Sequence, residues 1–449
     1  MNTLAELRAG RLAGAKRIDL SCGLTEFPRE VFELADSLET LNLSGNALHT
    51  LPDDLHRLHR LRVLFCSDNR FTTLPESIGR CSQLDIVGFK ANQIHTVPAA
   101  ALPPSLRWLI LTDNQIEELP DTLGHCTRMQ KLMLAGNRLR ALPASMAALQ
   151  GLELLRISAN RFHTLPAWLL SLPRLSWLAC AGNPFDTQAE DAAMAARSVP
   201  HTDWRELTLG KKLGEGASGV IHQATLGTSR QVAVKLFKGA VTSDGWPHSE
   251  MAACIAAGTH PTLITAQSRI DGHPDGVQGL VMGLVDPAFV TLAGPPSLAS
   301  CTRDVYAEDA RWTCSVALRI ARDIASAMQH LHARGMLHGD LYAHNILWHA
   351  QRGGRLGDFG AAWMTGALDA AQAHAFERLE MRAFGCLLQE LLERCTDAAP
   401  ASVATLKDRC LQPDVAARPS FAEALQMLQQ ASSSSSSFSS SSSSSSVSP

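Results

Sequence analysis

Residues 129–151 read MQKLMLAGNRLRALPASMAALQG, and the fold of the first half of the chain follows from this stretch. Leucine-like residues lead to Asn137, and Pro143 follows six residues later. The same order recurs in both directions. Asn46, Asn69, Asn92, Asn114, Asn137, Asn160 and Asn183 are spaced by 23, 23, 22, 23, 23 and 23 residues. Gly23 fills the same slot one unit earlier. Pro52, Pro75, Pro98, Pro120, Pro143 and Pro166 each lie six residues past an Asn. The shared unit is LxxLxLxxNxLxxLPxxLxxLxx, which predicts a short strand at LxxLxL, a turn at Asn and a looser segment after it. One unit cannot bury its own leucines, whereas stacked neighbours bury a continuous core. The Asn side chain can satisfy backbone groups of the adjacent turn, so a ladder inside the coil is expected. That role is structural.

This pattern resembles leucine-rich repeats, about eight copies across residues 15–183, preceded by a cap at residues 1–14. The resemblance implies an α/β solenoid. Residues 184–205 break the period; QAEDAAMAAR reads as a short Ala-rich helix capping the open end, and Pro200 marks a linker. In LxxLxLxxN the third, fifth and seventh residues alternate outward on the concave face. They include Val63, Phe65, Ile86, Trp108, Ile110, Met133, Leu154 and Trp177. Large apolar groups at such positions point to a contact surface. Phe65, Trp108, Ile110, Met133 and Trp177 are therefore candidate partner-binding residues. The alternative is that neighbouring side chains, or the chain's own second half, cover them.

From Trp204 the character changes. Residues 213–220 read LGEGASGV, placing Gly214, Gly216 and Gly219 in GxGxxG. Alone, that triplet is a weak signal. A dinucleotide site wants a helix after the glycines, but strand-like VIHQATL and then QVAVKLF follow here, with Lys235 in V-A-V-K. Strand, glycine hairpin, strand and lysine is the order of a protein-kinase nucleotide loop. Further elements follow in order: Glu250 in HSEMAACIAAG, HGDLYAHNIL at 338–347, GDFG at 357–360 and CLQPDVAARPSF at 410–421.

Together these resemble a eukaryotic-type protein kinase domain with an HGD variant of the catalytic loop, over residues 206–430. The fused order resembles cytosolic repeat-bearing serine/threonine kinases. The implied fold is an α+β bilobal domain, and the implied cofactors are ATP and Mg²⁺. Phosphoryl transfer rests on positioning and charge neutralisation. The resemblance assigns Leu213, Gly214, Glu215, Gly216, Ala217, Ser218, Gly219 and Val220 to the nucleotide loop. It assigns Lys235 to the phosphates, Glu250 to orienting that lysine, and Met282 in GLVMGLV to the edge of the adenine pocket. Asn345 and Asp358 are implied metal ligands, with hard oxygens suited to Mg²⁺. Asp340 is the implied catalytic base, accepting the proton of a protein hydroxyl. His338 and Phe359 read as packing residues, and Cys254 as packing against Phe359.

Several positions depart from that family's pattern. Gly339 replaces the usual Arg before the catalytic Asp, and the segment Ala361 to Leu379 holds one hydroxyl, Thr365. Activation by phosphorylation of that segment is therefore not expected. A-P-E is missing, which leaves the partner of Arg418 open, with Glu377 a weak candidate. Glu380 stands where the family has an Asp that braces the catalytic loop. Tyr342 replaces the Lys of serine/threonine kinases. HGDLxxxN also resembles small-molecule phosphotransferases, and a nucleotide-binding scaffold without turnover is a third reading.

Composition fits this picture. Of 449 residues, 45% are apolar and 18% charged, and 40 basic against 43 acidic residues leave a net charge of −3. No strong field draws the chain to nucleic acid. Eleven scattered cysteines include no CxxC, which favours a reducing, cytoplasmic setting. No window resembles a secretory signal or a membrane span. Residues 432–449 contain 15 Ser and are expected to be structureless.

Overall fold

The computed structural model describes residues 2–195 and 199–439, the side chains of 432–439 aside. The chain divides into two compact units. The first is Met1–Thr187 together with Ala240–Trp246; the second is Gln188–Gly239 together with Pro247–Pro449.

Helix α1 (Leu4–Arg8) opens the first unit and is fixed by a capping box between Thr3 and Glu6. Eight three-residue strands follow: β1 (Arg17–Asp19), β2 (Thr40–Asn42), β3 (Val63–Phe65), β4 (Ile86–Gly88), β5 (Trp108–Ile110), β6 (Lys131–Met133), β7 (Leu154–Arg156) and β8 (Trp177–Ala179). They pair in parallel in chain order. Their central residues align as Ile18, Leu41, Leu64, Val87, Leu109, Leu132, Leu155 and Leu178. Each of the eight is at most 3% exposed, so they form the spine of one continuous core.

The asparagines form the expected ladder. Asn137 Oδ1 accepts from Ile116 N (3.0 Å), and its Nδ2 donates to Leu111 O (2.9 Å) and Leu134 O (3.0 Å). Asn114 and Asn160 repeat the arrangement one unit to either side. The residue before each ladder Asn turns through the left-handed region: Gly45, Asp68, Ala91, Asp113, Gly136, Ala159 and Gly182 have φ between 51° and 72°.

Helix α2 (Thr187–Ala195) matches the Ala-rich helix expected there. From Gln188 it is grouped with the second unit, and Met194 O accepts from Arg269 (2.6 Å). The upper half of the second unit is a sheet built from β9 (His201–Asp203), β10 (Leu207–Glu215), β11 (Gly219–Leu226), β12 (Arg230–Phe237), β13 (Ala266–Asp271) and β14 (Gly279–Gly283). Its order is β10-β11-β12-β14-β13-β9. Leu207, Ala224, Val232, Val234, Ile270 and Val281 make its core. Helix α3 (Pro247–Ala256) follows β12.

The lower half is largely helical. Its pieces are β15 (Val290–Thr291), α4 (Cys314–Ala333), β16 (Met336–Leu337), β17 (Ile346–His349), β18 (Gly353–Leu356), β19 (Trp363–Met364), α5 (Ala370–Leu392), α6 (Ala401–Cys410) and α7 (Phe421–Ser439). Ala317, Ile320, Ala321, Ile324, Met328 and Leu331 bury one stripe of α4 at helical spacing. This is a leucine-rich-repeat solenoid followed by a bilobal α+β domain. Helix α7 continues to Ser439, into the stretch expected to be structureless; residues 440–449 lie outside the described residues. An established helix adds residues at low cost, which carries it past its apolar part. Among the described residues no helix is long and apolar enough to cross a membrane.

Candidate functional site

The antiparallel hairpin β10–β11 carries the glycine turn. Its register slips twice, between Leu209 and Lys212 and between Lys212 and Gly214, which bends the strand locally. Gly216 N closes the turn onto Gly219 O (2.9 Å). Glu215 receives Lys212 (2.8 Å) and Lys238 (2.6 Å), and these ammonium groups hold its carboxyl down at about 2. A Cβ on Gly214 or Gly216 would meet no protein atom within 4 Å. Packing does not demand glycine there, whereas close approach of a bulky ligand to the backbone does.

Below the turn lies a cavity of about 540 Å³. Leu213, Gly214, Lys235, Glu250, Cys254, Met282, Asn345, Asp358 and Phe359 line it. Lys235 is brought in by β12, where it pairs with Ile221 on β11 and Leu280 on β14. Its Nζ donates to Glu250 Oε1 from the first turn of α3. Both side chains are nearly buried. Burial works against the ammonium, but the Glu250 and Asp358 carboxylates outweigh it and hold Lys235 above its ordinary value. Met282 sits on β14 opposite Ala233 and is 6% exposed.

The floor is the loop after β16. His338 is fully buried; its Nε2 lies 3.0 Å from Gly357 O and its ring 5.4 Å from that of Phe359. Its Nδ1 accepts from Asp340 N (3.3 Å). These contacts match a packing role. Asn345 Nδ2 donates to Asp340 Oδ2 (2.8 Å) and Asp340 O (3.0 Å). That orientation leaves the Asn345 amide oxygen as the end able to meet a cation. Asp358 holds a left-handed backbone (φ 58°), with Oδ1 accepting from Gly360 N (3.1 Å). Two hard oxygen donors on one cleft suit Mg²⁺, which keeps waters and substrate phosphates in its remaining positions. Burial pushes the Cys254 thiol far up, so it is inert.

The departures from the family pattern are structural as well. Glu380, on α5, accepts from Gly339 N (2.6 Å) and lies 2.8 Å from His332 Nε2. It thus braces the loop at the residue before Asp340. Glu377 faces His374 (3.0 Å), while Arg418 is fully buried and donates to the carbonyls of Gln412, Arg378 and Leu379. Tyr342 is buried, its ring 5.1 Å from that of His344. His344 and Asp304 escaped the sequence reading. Asp304 accepts from His344 N (2.9 Å) and contacts Nδ1 (2.7 Å), tying the loop down one residue before Asn345. Burial opposes the imidazolium, but Asp304 outweighs it and raises His344. Asp304 lies in a segment without periodicity, so no sequence signal links the pair.

The candidate partner residues on the repeats largely pack on one another. The Phe65 ring lies over Gly88, and Ile110 approaches the same spot. Trp108 stacks under Lys131 (4.2 Å) and donates to Met133 Sδ (3.4 Å). Phe65, Trp108, Ile110 and Met133 are half-buried, and Trp177 is 1% exposed.

A family model for protein tyrosine and serine/threonine kinases matches residues 207–382. Leucine-rich-repeat models match residues 15–71, 105–126 and 127–185. A comparison with curated proteins returned no match.

Proposed function

Starting from a chain in which a leucine-rich-repeat region is followed by a protein kinase domain, we propose that it transfers the γ-phosphate of ATP to a serine or threonine hydroxyl of a protein. The observation that carries this reading is the convergence of Lys235, Glu250, Asn345 and Asp358 on one cleft, with Asp340 hydrogen-bonded to Asn345 at its floor. Backbone amides of 214–219 cradle the phosphates. Lys235, held by Glu250, neutralises the α- and β-phosphates. Asn345 and Asp358 would hold magnesium, which would offset the charge that develops during transfer. Asp340 accepts the hydroxyl proton and aims that oxygen in line. Met282 borders the adenine. The repeats recruit the protein substrate or a partner, raising its local concentration. A cytoplasmic setting is supported by eleven free cysteines.

Mass spectrometry after incubation with Mg-ATP and a generic protein substrate tests this. The expected result is phosphoserine or phosphothreonine, abolished by Asp340→Asn while nucleotide binding persists. Phosphotyrosine, or transfer to a small-molecule acceptor such as an aminoglycoside, overturns the acceptor assignment. A second reading, a nucleotide-binding scaffold, is favoured by one observation: buried Tyr342 stands where serine/threonine kinases carry a lysine. Nucleotide binding with no phosphate transfer would establish it.

A further inference from the structure

The first unit already holds a peptide on its strand face. Ala240–Trp246, AVTSDGW, lies in sequence between β12 and α3, yet it packs with Met1–Thr187 as one compact body. The segment is a tight turn. Thr242 N and Oγ1 both donate to Gly245 O (2.8 and 3.1 Å), and Asp244 N donates to Thr242 Oγ1 (3.1 Å). The turn presents Asp244 to Arg156, whose Nε lies 2.8 Å from Asp244 Oδ1. The Arg156 side chain is only 4% exposed. Among the last residues of the eight strands, Asp19, Asn42, Phe65, Gly88, Ile110, Met133, Arg156 and Ala179, it is the one cation.

Two close approaches fix the fit. A Cβ on Gly136 would come within 3.0 and 3.1 Å of the Val241 methyls. Four of the seven equivalent turn positions carry Asp or Ala with the same left-handed φ, so the backbone alone does not require glycine at 136. On the other side, Gly245 has φ 135°, and a Cβ there would meet Ser158 at 2.9 Å.

We propose that the face formed by Gly136, Arg156 and Ser158 is a recognition site for an acidic turn of a protein partner, and that Ala240–Trp246 is an internal ligand occupying it. A buried guanidinium demands a carboxylate, because an uncompensated buried charge is strongly unfavourable. The site therefore selects an Asp-Gly turn preceded by a β-branched apolar residue. Tethered at both ends, the internal copy competes at an effective concentration on the order of millimolar. It is an imperfect occupant, since Ser158 Oγ is buried with no hydrogen-bond partner. A partner turn that reaches that hydroxyl gains what the internal copy lacks.

The test is fluorescence anisotropy of a labelled peptide, GAVTSDGWPH (residues 239–248), titrated with the full chain. Asp244→Asn weakens the internal copy and is expected to raise peptide affinity about tenfold over the parent. Arg156→Gln is expected to abolish capture, and a peptide with Asn in place of Asp is expected not to bind. The exchange variant Arg156→Asp with Asp244→Arg restores the internal pair, which its melting temperature checks. It should reject the parent peptide and take one carrying Arg in place of Asp. If Asp244→Asn captures no more peptide than the parent, or Arg156→Gln captures as much, the segment is only a strut and the proposal fails. Phosphate transfer is not read in this experiment, so its failure leaves the kinase reading untouched.

Discussion

Thr365 illustrates what single residues can and cannot reveal. The sequence singles it out as the one hydroxyl between Ala361 and Leu379. Its fate needed coordinates: it is 6% exposed, its N and Oγ1 both donating to Gly335 O (2.8 and 3.1 Å). A hydroxyl so engaged is closed to a modifying enzyme. Thr365→Val should keep turnover while losing about 1 kcal/mol in a urea melt, the worth of one hydrogen bond. Loss of most activity would contradict that. His260 supplies a pH test. Burial first, and then His330, hold it below the ordinary imidazole value, while its Nδ1 accepts from Thr262 N (3.3 Å). Folding thus favours the neutral ring. Stability is full above about pH 6.5 and falls as pH drops through that value toward the depressed folded one. In urea melts at several pH values, His260→Gln should flatten this part of the slope. The cleft residues were legible because the motifs that resemble a protein kinase fix residue type and order, and the structure brings them to one cavity. Arg156 was not, because the face was read for its large apolar side chains and a cation fell outside that pattern.

At the scale of elements, the repeat strands were legible because their period is strict and one central column carries the core. The ladder gives a direct test. Asn137→Ala removes one acceptor and two donated bonds. With each buried group left unsatisfied costing about 1–3 kcal/mol, the repeat unit should lose about 3 kcal/mol or more in chemical denaturation. A loss under about 1 kcal/mol would mean that the ladder is dispensable. Glu380 joins α5 to the loop that carries Asp340. Glu380→Ala strands His332 and the Gly339 amide, and should cost about 3 kcal/mol along with slower phosphate transfer. Glu380→Gln keeps an acceptor for the amide and should recover part of both. The extent of α7 was not legible, since a serine run offers no apolar periodicity from which a helix end can be read.

For the whole molecule, both modules and their order followed from motifs, and the family models agree over residues 15–71, 105–185 and 207–382. What no motif revealed is that the first unit borrows Ala240–Trp246 from within the kinase stretch. Ligand linkage separates the units experimentally. A non-hydrolysable ATP analogue with magnesium, at a hundredfold excess over its Kd, should stabilise the second unit by about 2.7 kcal/mol. Lys235→Met should erase that increment, whereas Asn137→Ala should leave it intact. The borrowed segment also bears on biogenesis. While the nascent chain lengthens from Thr187 to Gly239, every repeat has been synthesised, yet the stretch that brings Asp244 to Arg156 has not. The solenoid is completed late, by a stretch translated after it, and a chain stalled in that interval displays a half-finished surface for chaperones or proteases to recognise.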